Sequence, residues 1–334
     1  MKIDVMKKDL FIAPSIYTLL LYLLINKEWK EGDFVLSDRI PLVIHDSLRK
    51  NSGCYVYSYM GFKRVSYLKR LWISNKEYFK YRNIFKNREY KRVWGNDDFT
   101  PSYLYRHQGM ILVEDGNFNA ETISFIKKRQ IQHDVFLLPY WFHWIFKNYT
   151  TYGWSKEVKT IWHTPSVQLP EPIRYKGLLF TIEDLWSNKS KEDQLDILKV
   201  FGINQDFIDN VNDFQTVLIT QDLPIPDEDK IHIYKQMTEG MDMSKVLIKT
   251  HYAETTDYAS VFPEATVIKM PVPMQLFALI GYEPKKIMTI SSSAVAPFIK
   301  EGVDLVFLGT EIDSRIAAKY GIMTKETYMS KLNK

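Results

Sequence analysis

Thr216-Val217-Leu218-Ile219-Thr220, Val246-Leu247-Ile248-Lys249, Ala265-Thr266-Val267-Ile268, Ile287-Met288-Thr289-Ile290 and Leu305-Val306-Phe307-Leu308 decide the fold of the second half. Each is a short, continuous apolar run. Helix-length stretches, roughly 229–240, 273–280 and 295–300, lie between them. Strands without polar alternation, separated by helices, predict a parallel sheet covered on both faces. The first half repeats the pattern less regularly. Leu10–Ala13, Phe34–Leu36, Met110–Val113 and Phe136–Pro139 read as strands, with a helix from Ser15 to about Asn26 and a long helical stretch over 63–91. The expectation is an α/β protein with two Rossmann-like domains facing across a cleft. Pro170, Pro172 and Gly177 break the chain ahead of a charged helix at 191–201, for which Gly202 suits a C-cap. This gives an N-terminal domain over 1–190, a linker over 191–213 and a C-terminal domain over 214–334.

Composition agrees. The chain has 334 residues, 46% hydrophobic and 25% charged, which supports about two packed domains and excludes a mostly disordered chain. One cysteine, Cys54, rules out an internal disulfide and a multi-cysteine metal site, and fits a reducing compartment. A net charge of +4 does not call for nucleic acid as a partner. The apolar run Leu10–Ile25 is interrupted by Pro14 and Ser15 and is shorter than the ~20 residues a membrane span needs. No small-residue cleavage site follows it. It reads as a buried strand, a turn and a buried helix, and the location as cytoplasmic.

In parallel sheets ligands bind at the carboxyl ends of strands. After Met110–Val113 comes Glu114-Asp115-Gly116: a carboxylate there suits a general base, and the glycine a tight turn. The same residues also describe an ordinary acidic turn. After Val246–Ile248 comes Lys249-Thr250-His251, a cation and an imidazole that suit a departing phosphate, or a structural histidine. Ser291-Ser292-Ser293 opens a helix, as an anion cradle or a plain N-cap. Thr220-Gln221-Asp222 ends its strand within reach of a ligand edge. A base on one half and a phosphate cradle on the other is the division of labour of a nucleotide-sugar glycosyltransferase.

With these residues in place, the chain resembles bacterial sialyltransferases of glycosyltransferase family 52, and more distantly the bacterial polysialyltransferases. Phe11-Ile12-Ala13-Pro14-Ser15 looks like the family's first strand and turn, and Glu114-Asp115-Gly116 like its acidic-acidic-Gly motif. Leu218-Ile219-Thr220-Gln221 looks like the first strand of the nucleotide domain. Lys249-Thr250-His251 is similar to the Lys-x-His-Pro motif, with Tyr252 in the proline's place. Val272-Pro273-Met274-Gln275 resembles a Pro-x-Glu element, with Gln275 for the glutamate, and Ser291-Ser292-Ser293-Ala294 matches the phosphate-holding Ser-Ser element.

The resemblance implies a GT-B fold and an inverting transfer that needs no metal and no cofactor. The donor would be CMP-sialic acid, and the acceptor a hydroxyl of a cell-surface glycan of capsule or lipooligosaccharide type, with a galactose terminus. Asp115, with or without Glu114, would be the base, and His251 would protonate or stabilise the departing phosphate. Lys249, Ser291, Ser292 and Ser293 would hold that phosphate. Gln275, Thr220, Gln221 and Gly116 complete the expected nucleotide side. The alternatives are another donor, CMP-Kdo or a UDP-sugar, or a non-catalytic basic module.

That last alternative comes from residues 57–95, which carry eleven Lys or Arg and two Glu among Tyr, Phe and Trp. Such a stretch suits a solvated helix face, single-stranded nucleic acid, or an anionic membrane bearing a lipid-linked acceptor. The membrane reading would place the protein peripherally on the inner face of the plasma membrane, with no nucleic acid as partner. The aromatic cluster Tyr140–Phe146 suits core or an acceptor-cleft wall. Family relatives suggest a homodimer. Asp227-Glu228-Asp229 fits a metal pattern, but follows Pro226 and reads better as an N-cap with favourable dipole charge. His163-Thr164-Pro165 reads as loop structure away from the phosphate cradle.

Overall fold

A computed structural model describes residues 7–50, 52–58, 67–85, 88–99, 101–102, 105–120, 122–124 and 151–332. The expected strand Phe136–Pro139, the aromatic cluster Tyr140–Phe146 and residues 63–66 lie outside them. The chain forms two compact units, Met1–Val200 and Phe201–Lys334. The boundary falls in the segment read as a linker, which holds the helices Lys191–Val200 and Gln205–Asn212. Gly202 lies between them with φ +74°, as a C-terminal cap requires.

In the first unit β1 (Asp9–Ala13), β2 (Asp33–Ser37), β3 (Cys54–Tyr57), β4 (Arg92–Gly95), β5 (Met110–Val113), β6 (Val158–His163) and β7 (Gly177–Leu179) form one sheet in the order 3-2-1-4-5-6-7. All neighbours are parallel. β1 is buried along its whole length. The helix α1 (Ile16–Ile25) follows, capped by Ser15, whose hydroxyl accepts from the Thr18 N–H. It is buried on nearly every side, so its apolarity is that of a core helix. Among the described residues no helix is long and apolar enough to cross a membrane. The helix α2 (Leu42–Arg49) precedes β3, and of the long helical stretch expected over 63–91 the helix α3 covers Tyr67–Phe85, while residues 88–91 are not helical and lead into β4.

In the second unit β8 (Thr216–Ile219), β9 (Val246–Lys249), β10 (Thr266–Ile268), β11 (Lys286–Thr289) and β12 (Asp304–Phe307) form a parallel sheet in the order 10-9-8-11-12. The five expected runs are these strands. Two local expectations are corrected. Residues 293–298 form a 3-10 turn, not an α-helix from 295, because Pro297 removes a donor inside it. The helix expected over 229–240 is Asp227–Met237 and has Pro226 at its N-cap, without a side-chain cap. Asp227-Glu228-Asp229 therefore lies in its first turn, where Asp227 pairs with Lys230 at 3.0 Å and Asp229 with Arg315 at 2.6 Å.

Each sheet reverses strand order once, between β1 and β4 and between β8 and β11. Such reversals open a crevice at the carboxyl ends of the strands. At the first reversal Gly95 has φ +126°, and a Cβ there would lie 1.8 Å from the Ile12 carbonyl oxygen. That oxygen accepts the Asn96 N–H at 2.9 Å. Gly95→Ala should therefore force β4 off β1 and cost about 3 kcal/mol or more, read as a large fall in the thermal or denaturant midpoint.

Candidate active site

In the first unit the site is built where β1, β4 and β5 end. Glu114 and Asp115 are adjacent, yet the fold treats them differently. Glu114 is 1% exposed. It accepts from the Tyr17 hydroxyl at 2.6 Å, the Thr164 N–H at 2.6 Å and the Thr164 hydroxyl at 3.0 and 3.1 Å. Burial raises the Glu114 carboxyl above its ordinary range, and these hydrogen bonds pull it partly back. Burial first, then the Glu114 charge, push the Tyr17 hydroxyl far above the usual phenol range. Glu114 thus ties α1 to the end of β6.

Asp115 is half-buried. Its Oδ1 accepts from the Ser15 hydroxyl at 3.0 Å and the Thr18 hydroxyl at 3.3 Å, and its N–H donates to Asn119 Oδ1 at 3.0 Å. Ser15 is also the N-cap of α1. Hydroxyl donors and a helix N-terminus both favour the ionised carboxylate. Gly116 follows with φ +61° and open space around it, so backbone conformation selects the glycine.

Sequence reasoning missed Thr164, Tyr17, Ser15 and Thr18 as partners of the acidic pair. His163-Thr164-Pro165 was read as loop; instead His163 ends β6 and Thr164 clamps Glu114. The parallel β5–β6 pairing puts Val113 beside Trp162, which brings Thr164 to the acidic turn. It missed Asn96, Asp97 and Asp98 as well, because β4 offers only two apolar residues, Val93 and Trp94, as a strand signal.

In the second unit β8, β9 and β11 end together. The Gln221 side-chain oxygen accepts the Ser291 N–H at 2.7 Å, and Gln221 Nε2 reaches the Ser291 hydroxyl at 3.4 Å. Ser292 caps the following 3-10 turn through the Ala294 N–H at 3.2 Å. Ser293 is exposed and its carbonyl accepts from Tyr328 at 3.2 Å. Thr220, Gln221, Ser291 and Ser292 are therefore brought together. Gln275 is half-buried in the first turn of the helix Met274–Leu279 after β10, apart from them.

His251 follows β9 and Lys249. The His251 N–H donates to Glu254 at 3.1 Å and to Thr220 Oγ1 at 3.3 Å, and its Nδ1 accepts from the Ala253 N–H at 3.2 Å. That last bond assigns the neutral tautomer with the proton on Nε2. Burial lowers the imidazole pKa, Lys249 adds to this, and Asp222 opposes it. The Tyr252 ring, in the family proline's place, lies 4.5 Å from the imidazole ring. Glu254, which sequence reasoning passed over, holds the loop. It also accepts from Thr220 Oγ1, from the Tyr258 hydroxyl at 2.8 Å and from Lys230 at 3.2 Å. Lys249 is 5% exposed, donates to the Thr250 carbonyl at 2.8 Å, and is pushed down to about 8 by burial against the pull of Glu254. Among the described residues no group of three or more His, Cys, Asp and Glu side chains is placed to hold a metal ion.

Two parallel Rossmann-type units in one chain are the architecture of the GT-B fold. The chain belongs to glycosyltransferase family 52, whose model matches residues 57–311. It is 31% identical over 234 residues to an uncharacterized protein of Haemophilus influenzae, covering 69% of this chain and 72% of that one. Its fold is similar to the α/β-galactoside α-2,3-sialyltransferase of Photobacterium phosphoreum, at TM-score 0.54 and 12% identity over 97% of this chain and 95% of that one. It is similar also to the 2,6-sialyltransferase of Photobacterium sp. JT-ISH-224, solved with CMP and lactose, at TM-score 0.56 and 12% identity over 97% and 75%.

Removing Glu254 should test the loop's support. Glu254→Ala takes a carboxylate from the buried Lys230 and three more donors, and should lower stability by about 3 kcal/mol in denaturant unfolding. An unchanged midpoint would show that the network carries no load.

Proposed function

We propose that this chain transfers sialic acid from CMP-sialic acid to a hydroxyl of a cell-surface glycan, with inversion and without a metal. The observation that carries the reading is the sorting of the acidic pair. Glu114 is buried and saturated, whereas Asp115 is half-buried just past the end of β5 and accepts from the Ser15 and Thr18 hydroxyls. Family membership supports glycosyl transfer. The fold shared with two Photobacterium sialyltransferases, one holding CMP and lactose, supports a CMP-sugar donor and a glycan acceptor.

Asp115 takes the proton of the acceptor hydroxyl as its oxygen attacks the anomeric carbon. The bond from that carbon to the phosphate oxygen breaks, and its electron pair leaves with CMP. Charge develops early on this leaving group, because the donor passes through an oxocarbenium-like state. His251 suits stabilisation of that charge through Nε2–H better than proton donation, since its Nδ1 is occupied as an acceptor and its pKa is lowered. Ser291, Ser292 and Ser293 hold the phosphate, with Gln221 setting Ser291 and Thr220 setting the His251 loop. Lys249 adds charge from beneath, and Gly116 and Gln275 border the sugar and nucleoside.

The acceptor is of capsule or lipooligosaccharide type. On α3, Trp72 (63% exposed) with Lys76 5.2 Å from its ring, and Phe79 (49% exposed), present an aromatic and basic face. That face supports peripheral docking at an anionic membrane carrying a lipid-linked acceptor. Dimerisation belongs to the same reading.

The test is CMP release from CMP-sialic acid with galactose-terminated acceptors. Folded Asp115→Ala should lose ~10²–10⁴ in rate, and His251→Ala ~10²–10³. Normal turnover in both would sink the assignment. CMP should raise the melting temperature where UDP and GDP do not. Because His251 acts while neutral, kcat/KM should not fall as pH rises from 6.5 to 8. A descending limb in that window that vanishes in His251→Gln would identify an imidazolium acid instead.

A further inference from the structure

Beside the acidic turn lies a second carboxyl that the transfer as described does not use. The β4–β5 register pairs Gly95 with Leu112. Just past the strand ends the Asn96 side chain donates to the Val113 carbonyl at 3.1 Å, which ties the turn that carries Asp98 to the end of β5, and the charge of Asp115 acts on Asp98. The neighbour Asp97 is fully engaged, its two oxygens accepting the N–H groups of Tyr152 at 2.6 Å and Gly153 at 3.0 Å. Lys176 grips the same turn through the carbonyls of Gly153 at 2.8 Å and Ser155 at 2.7 Å. The clamp holds Tyr152 at φ +56°, the one non-glycine residue with positive φ among those described. A strained conformation held from two sides marks a side chain whose direction matters. The Tyr152 side chain hydrogen-bonds to Asp98. Asp98 is half-buried, and its Oδ1 is sealed from solvent without a hydrogen-bond partner among the described residues.

We infer that Asp98 and Asp115 act as a carboxyl pair in which Asp98 keeps the proton, so that Asp115 stays ionised to accept the proton of the acceptor hydroxyl. The catalytic half of this inference rests on the proposed transfer; the proton's location does not. Two neighbouring carboxyls resist simultaneous ionisation, and surroundings decide which one yields. Asp115 has the Ser15 and Thr18 hydroxyls on Oδ1. Asp98 has an oxygen with no donor. Burial, then the charges of Asp115 and Asp97, push Asp98 up to about 7, against the hydrogen bond from Tyr152. Among the described residues the titratable groups that act on it are Asp115 at the β5 end, Asp97 of its own turn and Tyr152 of the clamped turn, with Lys176 coupled to Asp97. Asp98 touches no reacting atom and is a positioning residue. When it ionises, repulsion makes Asp115 a stronger base.

Asp98→Asn keeps the shape and removes the titration. A carboxyl raised in the folded state stabilises fully below its unfolded pKa of about 3.9, and that stabilisation is lost as pH rises through about 7. The melting temperature of the wild type should therefore drop relative to Asp98→Asn between pH 5 and 8, by about 2 °C or more. A constant difference across that range would overturn the proton assignment. In CMP release, wild-type kcat/KM should show an acid limb and a second rise of about threefold near neutrality, and Asp98→Asn the acid limb alone. Identical profiles would overturn the positioning role. Should Asp98→Asn not fold, Tyr152→Phe removes a bond that favours ionised Asp98, and should move the second rise to higher pH; an unmoved rise counts against the pair. A wild type that releases no CMP from CMP-sialic acid would defeat the proposed transfer, and the unfolding comparison would still judge Asp98.

Discussion

The Ile12 carbonyl oxygen occupies the place a Cβ would need at residue 95. That close approach lets β4 lie against β1 and go straight into Asn96, whose N–H the same oxygen accepts. The reversal of strand order falls between β1 and β4, and the residues just past the strand ends there are Ser15, Asn96 to Asp98 and, after β5, Asp115. A larger residue at 95 would separate the strands and scatter the groups. The rest of the first unit's chemistry depends on this one contact.

Burial then sorts the carboxyls that the strands deliver. Glu114, Asp97, Asp98 and Asp115 lie at two neighbouring strand ends, yet each is treated differently. Glu114 is sealed and saturated with donors. Asp97 is spent on two backbone N–H groups of a strained turn. Asp98 has an orphaned oxygen, and Asp115 has donors and solvent. The second unit uses the same economy. Glu254 accepts the His251 N–H and holds a loop that lacks the family's proline, and the Ala253 N–H fixes the ring's tautomer.

The strands that sequence reveals are those written as continuous apolar runs. β1, β2, β5 and the five strands of the second sheet are continuous apolar runs, and all were legible. β4 has two apolar residues between Arg92 and Gly95, and β6, Val-Lys-Thr-Ile-Trp-His, has neither an apolar run nor alternation. β3 and β7 are edge strands of four and three residues, Cys-Tyr-Val-Tyr and Gly-Leu-Leu, too short and mixed to stand out. None of the four was legible, so the residues just past them were not sought. Thr164 and Asp98 were lost for that reason, although a parallel register makes their neighbours predictable once the strand is known.

The sequence by itself determined the α/β class, the parallel sheet of the second unit, the buried strand and helix at the start, and the family. It also determined that Glu114-Asp115-Gly116, His251 and Ser291–Ser293 stand at strand ends. These follow from local periodicity and motif order. Only the tertiary structure decided which carboxylate is buried and which is half-exposed, which nitrogen of His251 carries the proton, and that the charge of Asp115 acts on Asp98. Those properties depend on the electrostatics of residues up to a hundred positions apart in the chain, as Ser15 and Asp115 are. Burial and hydrogen bonding, not residue type, set the charge of a side chain.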